Sequence, residues 1–408
     1  MLFSRLLGHV IRTGDLVLID ADGNASTFGD GTGPRSVVRL HDRKLHTALA
    51  LNPALRLGEA FMDGTLTIEE GSLYDFLLLA TRNLASGTEH PLMRAMDKAR
   101  RWVRWAQQYN PVTRAKENVH HHYDLSGRLY ELFLDHDRQY SCAYFTDPGD
   151  ALETAQENKK RHLAAKLLLE PGQRVLDIGS GWGGLALYLA QTADVDVTGL
   201  TLSEEQHKVA NERARRAGLE HRVRFLLRDY REEAGRYDRI VSVGMFEHVG
   251  VVHYDAFFRQ VRTLLTDDGV AVLHAIGRFD GPAATNPWLR KYIFPGGYSP
   301  ALSEVLPVVE KSGLFATDIE ILRLHYAQTL RHWRQRFMAA RAEIAAIYDE
   351  RFCRMWEFYL AGSELAFVNQ GHMVFQIQMS RRLETVPLTR DYIHDWERRT
   401  QGRPGIAA

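Results

Sequence analysis

Three features of this chain carry residue types and spacings that could do chemistry: a glycine-rich turn, an acid beside a histidine, and a histidine inside an apolar strand. RVLDIGSGWGG places Asp177, Gly179, Gly181 and Gly183 where an apolar strand gives way to a helix. Glycines there let the backbone pass close to a ligand, and the helix start offers free N–H groups. A tight strand–helix turn without a ligand would use the same residues. A dinucleotide site wants an acid about 20 residues further on, at the tip of the second strand. That tip reads VTGLTLSEEQ: Gly199, Leu200 and Thr201 stand there, and Glu204 and Glu205 come only in the following helix start. The glycines also run Gly-x-Gly-x-Gly rather than Gly-x-Gly-x-x-Gly. An adenosyl-methionine ligand, which has no pyrophosphate to cradle, fits better than NAD(P).

GMFEHVG puts Glu247 and His248 after the strand RIVSV, VAVLHAIG puts His274 within an apolar strand, and LHYAQTLRHW supplies His325 and Tyr326. Each also has a plain reading: a helix-start acid for Glu247, a hydrogen-bonded core histidine for His274. Asp229 in RDYR suits an acceptor for an adenine amino group, or equally a solvated turn acid. The histidines at 120–122 are adjacent, and consecutive side chains rarely converge on one ion, so no metal site is expected. Cys142, in QYSCAYF, is one of two cysteines. A nucleophilic thiolate needs a cationic neighbour or a helix N-terminus, and nothing in 139–145 supplies one.

The elements that must position these residues follow from the pattern. Length alone suggests two domains, because single cores stop growing at about 250–300 residues. From 174 to 277, apolar strands alternate with helices, which argues an α/β fold with a mostly parallel sheet covered on both faces. Ligands bind such sheets at the carboxyl ends of the strands. AQENKKRHLAAKLLLE (155–170) reads as an amphipathic helix stopped by Pro171-Gly172, and residues 328–384 read as helical, with HWRQRFMAARAEIAAIYDERFCRMWEFYLAG one periodic segment. Asn110-Pro111 breaks the helical spacing of 91–110, so the domains are expected to be 1–110 and 111–408. Fifty-one basic residues balance fifty-one acidic ones, which gives no field for nucleic acid. Two distant cysteines exclude a disulfide scaffold. No apolar run reaches about 18 residues and no signal peptide is read at the start, so a cytoplasmic protein is expected.

LDIGSGWGG, VTGLTLSEEQ, DRIVSVGMFEHVG, VLHAIG and YSCAYF occur in this order. Together they resemble the cyclopropane-fatty-acyl-phospholipid synthases and the related mycolic acid cyclopropane synthases, through roughly residues 115–400, and LRLGEAFMDGTL resembles the small N-terminal domain of the phospholipid-acting branch. The resemblance implies a class I S-adenosylmethionine-dependent methyltransferase (Rossmann-like) with a mostly parallel seven-stranded sheet, plus a small N-terminal α+β domain for dimerisation or lipid positioning. It assigns Gly179, Gly181, Tyr140 and Ser141 to the methionine end of the cofactor. Thr201, Leu202 and Gln206 go to its adenosine, with Gln206 replacing the missing acid. Asp229, Tyr230 and Val243 flank the adenine.

In the chemistry so implied, alkene electrons attack the sulfonium methyl, and a base removes a proton from the transferred carbon so that a cyclopropane ring closes. The base is implied to be bicarbonate, held by Glu247, His274 and Tyr326 through side chains and by Cys142 and Ile276 through backbone N–H groups. Water would trap the cation, so the site should be dry, with Tyr144 and Phe145 among its walls. NPWLRKYIFPGGYSP (286–300) is expected as a loop bordering the acyl channel. The implied partners are phospholipid acyl chains at the inner membrane surface and a second copy of the chain. DKARRWVRW (97–105) and RHWRQRF (331–337) are the basic, tryptophan-bearing candidates for lipid contact, or else solvated helix faces. Related outcomes are a fatty-acyl C-methyltransferase giving a methyl- or methylene-branched chain and an amine N-methyltransferase like some plant relatives. From other classes come an NAD(P)-dependent oxidoreductase and a non-catalytic lipid-binding module.

Overall fold

Consecutive apolar residues in DLVLI and RSVVRL bury both faces of short strands near the start of the chain. The computed structural model describes residues 2–85 and 126–402. In chain order the first elements are α1 Leu2–Val10, β1 Asp15–Ile19, β2 Ala25–Phe28, β3 Arg35–Leu40, α2 Leu45–Leu51, α3 Pro53–Met62, β4 Leu66–Glu70 and α4 Leu73–Ala85. Their four strands form a sheet in the order β2-β1-β3-β4, with β1 and β3 parallel and the other pairs antiparallel.

After the undescribed stretch come α5 Gly127–Phe133, α6 Leu152–Leu167, β5 Arg174–Ile178, α7 Gly184–Ala193, β6 Asp196–Thr201, α8 Glu204–Arg216, β7 Val223–Leu227, β8 Tyr237–Val243, α9 Tyr254–Leu264 and β9 Leu265–Arg278. The chain continues through α10 Pro287–Tyr292, α11 Leu302–Ser312, β10 Phe315–Leu322, α12 His325–Ala339, α13 Arg341–Ile347, α14 Glu350–Asn369, β11 His372–Ser380 and α15 Asp391–Thr400. The seven-stranded sheet has the order β10-β11-β9-β8-β5-β6-β7. β5 pairs in parallel with both β6 and β8, β6 with β7, and β8 with β9, while β10 and β11 are antiparallel. Order reverses beside β5, so the crevice between β5 and β8 is where such a sheet takes a ligand.

Two cores cover the sheet. Phe246, Phe257, Phe258, Leu273 and Phe375 pack on one side, and Leu163, Leu167, Leu187, Val197 and Phe225 on the other. α8 is set by its own sequence: the Ser203 side chain accepts from the Gln206 N–H, Glu204 and Glu205 occupy the first turn, and Arg213, Arg215 and Arg216 the last. Those charges complement the helix dipole.

The chain divides into two compact units, one made of Met1–Arg104, Ala283–Pro295 and Leu330–His372, the other of Trp105–Pro282, Gly296–Thr329 and Met373–Ala408. Residues 283–295 and 330–372, expected within 111–408, thus cluster with the N-terminal residues, and Ala361 and Leu365 of α14 share a core with Leu16, Leu40, Leu49 and Phe76. The expected boundary near 110 lies outside the described residues.

Three element expectations change. The segment 328–384 is three helices and a strand, because the backbone turns out of helical geometry at Tyr348 and Asp349, where the Asp349 carboxylate accepts from the Phe352 N–H at 2.7 Å and starts α14 anew. Part of 286–300 is helix: Asn286 caps α10 and Pro287 stands in its first turn. Finally, α6 is not an amphipathic helix with a wet charged face, since Lys159, Lys160, His162 and Lys166 are all buried. It ends where Leu168 takes a left-handed conformation, φ 52°.

Candidate active site

The carboxyl ends of β5, β6, β7 and β8 converge on one cleft, closed on another side by residues 138–141. All ten residues expected around a cofactor line it: Tyr140, Ser141, Gly179, Gly181, Thr201, Leu202, Gln206, Asp229, Tyr230 and Val243. Gly179 and Gly181 have φ of 86° and 53°, and a Cβ on Gly179 would lie 2.8 Å from that of Met245. Position 181 has open space where its Cβ would stand, so a ligand can approach the backbone there. Thr201 donates its hydroxyl to Gln206 Oε1 at 3.0 Å, which orients the amide at the tip of β6. Asp229 is engaged by Arg231, whose Nε and terminal nitrogen donate to its two oxygens at 2.8 and 2.7 Å.

Sequence reasoning missed several walls of this cleft, among them Trp182, Met245 and Arg231. Trp182 stood in plain view between the glycines, whereas the others lie on turns whose direction only the fold decides. Asp177, read from sequence as part of the turn, is fully buried and its Oδ2 has no hydrogen-bond partner. Burial pushes its carboxyl up to about 7, against the pull of the Lys159 charge.

The other five expected residues are absent from the cleft lining. Glu247 is buried in the turn after β8; its Oε1 accepts from the Ile276 N–H at 2.6 Å and its Oε2 is unpartnered. Burial raises this carboxyl to about 7, although the Ile276 bond opposes the shift. Glu247 therefore keeps its proton to higher pH than an ordinary carboxyl, and the Ile276 N–H, expected to face a bound anion, donates to Glu247.

His274 lies two residues earlier on β9, and its Nδ1 is 3.1 Å from Gln376 Nε2. Gln376 Nε2 can only donate, so the His274 proton belongs on Nε2. Burial, then the charges of Lys159, Lys166 and His162, lower His274 to about 3, so it is neutral.

The stretches that hold Cys142 and Tyr326 are joined by a different contact. Ala143 N–H donates to Thr329 Oγ1 at 3.0 Å and Phe145 N–H to His325 Nδ1 at 3.0 Å, which seats the first turn of α12 on QYSCAYF. Cys142 is 1% exposed, its Sγ donates to the Ala143 carbonyl at 3.3 Å, and burial pushes its thiol far above the usual range. It is no thiolate nucleophile. Tyr144, expected at a dry wall, has its ring stacked between His162 and His325 at 4.2 and 5.0 Å.

Histidines 120–122 and the stretch 97–105 lie outside the described residues. In 331–337, Trp333 and Phe337 are fully buried, and Arg331 and Arg334 donate to the buried Glu364 at 3.2 and 3.0 Å. One face of this helix is thus anchored in the protein, while the Arg331 side chain stays half exposed. Among the described residues no helix is long and apolar enough to cross a membrane.

A mostly parallel seven-stranded sheet of this order, with a glycine turn after β5, is the fold of the class I S-adenosylmethionine-dependent methyltransferases. The family model "Mycolic acid cyclopropane synthetase" matches residues 111–377. The cyclopropane-fatty-acyl-phospholipid synthase of Escherichia coli is 38% identical over 357 residues, 87% of this chain and 90% of that protein. The tuberculostearic acid methyltransferase of Mycobacterium tuberculosis is 34% identical over 401 residues, 93% of this chain and 90% of that protein. Among solved structures, the cyclopropane synthase MmaA2 from Mycobacterium tuberculosis has a TM-score of 0.62 at 33% identity, covering 66% of this chain and 99% of that one. A mycolic acid cyclopropane synthase complexed with SAH and CTAB matches at the same TM-score and identity, covering 66% and 98%. The chain belongs to the mycolic acid cyclopropane synthetase family. The oxidoreductase and non-catalytic readings fall with that finding.

Proposed function

We propose that the protein forms cyclopropane rings on the cis double bonds of unsaturated phospholipid acyl chains, with S-adenosylmethionine as methylene donor and bicarbonate as base. The observation that carries this reading is two buried groups, Glu247 in the turn after β8, with an unpartnered Oε2 and a raised carboxyl, and His274 on β9, with its proton on Nε2. With Glu247 protonated, two neutral donors in a dry site suit a small anion, which an ionised carboxylate would repel. The Cys142 N–H and the Tyr326 hydroxyl are assigned to the same anion, and Ile276 acts through Glu247.

The cleft residues fit the cofactor. The orphaned Asp177 oxygen suits a cationic group, and the open space at Gly181 admits a ligand against the backbone. S-adenosylmethionine supplies an electrophilic methyl group there. Tyr140 and Ser141 meet its methionine end, Thr201, Leu202 and Gln206 its ribose, and Asp229, Tyr230 and Val243 its adenine. Acting on lipid implies a protein that attaches reversibly to the inner membrane surface from the cytoplasm, and the family resemblance adds a homodimer.

Incubation with S-adenosylmethionine and vesicles of monounsaturated phospholipid tests this. A mass gain of one CH2 with loss of the alkene signal, and a fall in rate when bicarbonate is stripped, are expected. The similarity to a tuberculostearic acid methyltransferase supports a second reading, transfer to a fatty-acyl carbon giving a branched chain. The same mass gain with a branch in place of a ring would select it. No gain on any lipid would overturn both.

A further inference from the structure

Lys159 is fully buried on α6. Its ammonium donates to Ser141 Oγ at 2.8 Å and to Gln139 Oε1. Lys160, one residue on, pairs with Asp137 and Glu157 at 2.9 and 3.0 Å. For Lys159, in contrast, no carboxylate lies at ion-pair distance among the described residues. A buried ammonium without a carboxylate at contact distance is costly, and burial outweighs the more distant charges of Asp135 and Asp137 and lowers this one to about 8.

The surroundings are built to hold it there. Gln139 Nε2 donates to Asp137 Oδ2 at 2.9 Å, so the amide oxygen must face Lys159. Asp137 is fixed in turn by Lys160 and Arg213. Gly184 makes room, because a Cβ there would lie 2.4 Å from Asp137 Oδ2 and 2.5 Å from Gln139 Nε2.

An ammonium can only donate, so Ser141 Oγ must accept. Ser141 has no acceptor for its own proton among the described residues, and it lines the cleft. We propose that Lys159 is a positioning residue for the α-carboxylate of S-adenosylmethionine: it turns the Ser141 hydroxyl proton into the cleft and sets a positive charge behind it. A carboxylate arriving there accepts that proton and adds its negative charge to those of Asp135 and Asp137 around the ammonium. The inference rests on the cofactor reading above.

Calorimetric titration of the full chain with S-adenosylmethionine and with its decarboxylated analogue separates the two. If the wild type binds neither, the cofactor reading fails. If it binds S-adenosylmethionine, Lys159→Met should weaken that ligand about tenfold or more, the scale of one charge-assisted bond, and the decarboxylated analogue less than about twofold. In the double variant with Ser141→Ala the losses should be clearly less than additive, since both act on one contact. Equal weakening of both ligands, or no change in either, overturns the proposal. Should Lys159→Met not fold, Ser141→Ala and Lys159→Gln read the same ratio, and a wild-type ratio in both overturns it as well.

Discussion

Glu247, His274 and Tyr326 are assigned to the reacting end of the site rather than to cofactor binding, and their substitution should show it. Glu247→Ala, His274→Ala and Tyr326→Phe are each expected to lower kcat at least about a hundredfold, the scale of lost acid–base assistance. The Kd for S-adenosylmethionine, read by calorimetry, should stay within about threefold. Loss of cofactor binding in all three would refute the anion site.

The raised carboxyl of Glu247 also sets a pH dependence. The group donates only while protonated, so kcat/KM for the lipid should fall as pH rises through about 7. Glu247→Gln, which keeps a donor at every pH, should flatten that limb. Because its folded value lies above the ordinary carboxyl range, ionising Glu247 costs stability as pH rises from about 4.5 to about 7. Cys142→Ser should keep at least about a third of wild-type turnover, since a buried thiol hydrogen-bonded to the Ala143 carbonyl holds no charge to lose. Spacing alone pointed only to the glycine turn after β5, whereas the ten residues proposed for the cofactor were legible through the motifs they share with the resembled family. The protonation of Glu247 was not, since it depends on burial that Ile276 and Tyr298 complete from other parts of the chain.

Helix α6 shows how an element can be read correctly as a helix and still be misplaced. Its charges recur as on a wet face, and only the strands and helices laid over it make that face interior. His162 lies 2.7 Å from both Glu320 and Glu397, and Lys166 pairs with Asp318 and Glu320. His162→Ala leaves two carboxylates without their shared partner, and urea unfolding should show a loss of about 3 kcal/mol.

The sign of the acid response follows from Glu320. Burial alone would raise its carboxyl, but His162 and Lys166 outweigh burial and hold it well below the usual range. The stability it contributes is present above about pH 4.5 and drains away as pH falls below that. His162→Ala should narrow this acid loss, and an unchanged acid limb would separate Glu320 from the helix's stability. The helices of 330–372 were legible as helices but not as three, because no Gly or Pro marks the breaks at Ala340 and Tyr348, and only the Asp349 cap signals the second.

At the scale of the molecule, the alternating strands and helices were enough to expect the parallel sheet, and its strand order puts the site where such sheets place ligands. The composition of the first unit was not legible, because its third segment enters from hundreds of residues away. Its core needs Ala361 and Leu365 from α14. A fragment of residues 1–110 should therefore show no cooperative thermal unfolding by circular dichroism, whereas the full chain should unfold with a sharp transition. A cooperative fragment would show that α14 is dispensable.

That shared core also sets a schedule for the chain during its synthesis. Phe76 and Leu77 leave the ribosome nearly 300 residues before Leu365. At roughly 5–20 residues per second, their apolar faces wait about 15–60 s for the helix that covers them. The first segment made is among the last to finish folding, and it is where a nascent-chain chaperone would dwell longest.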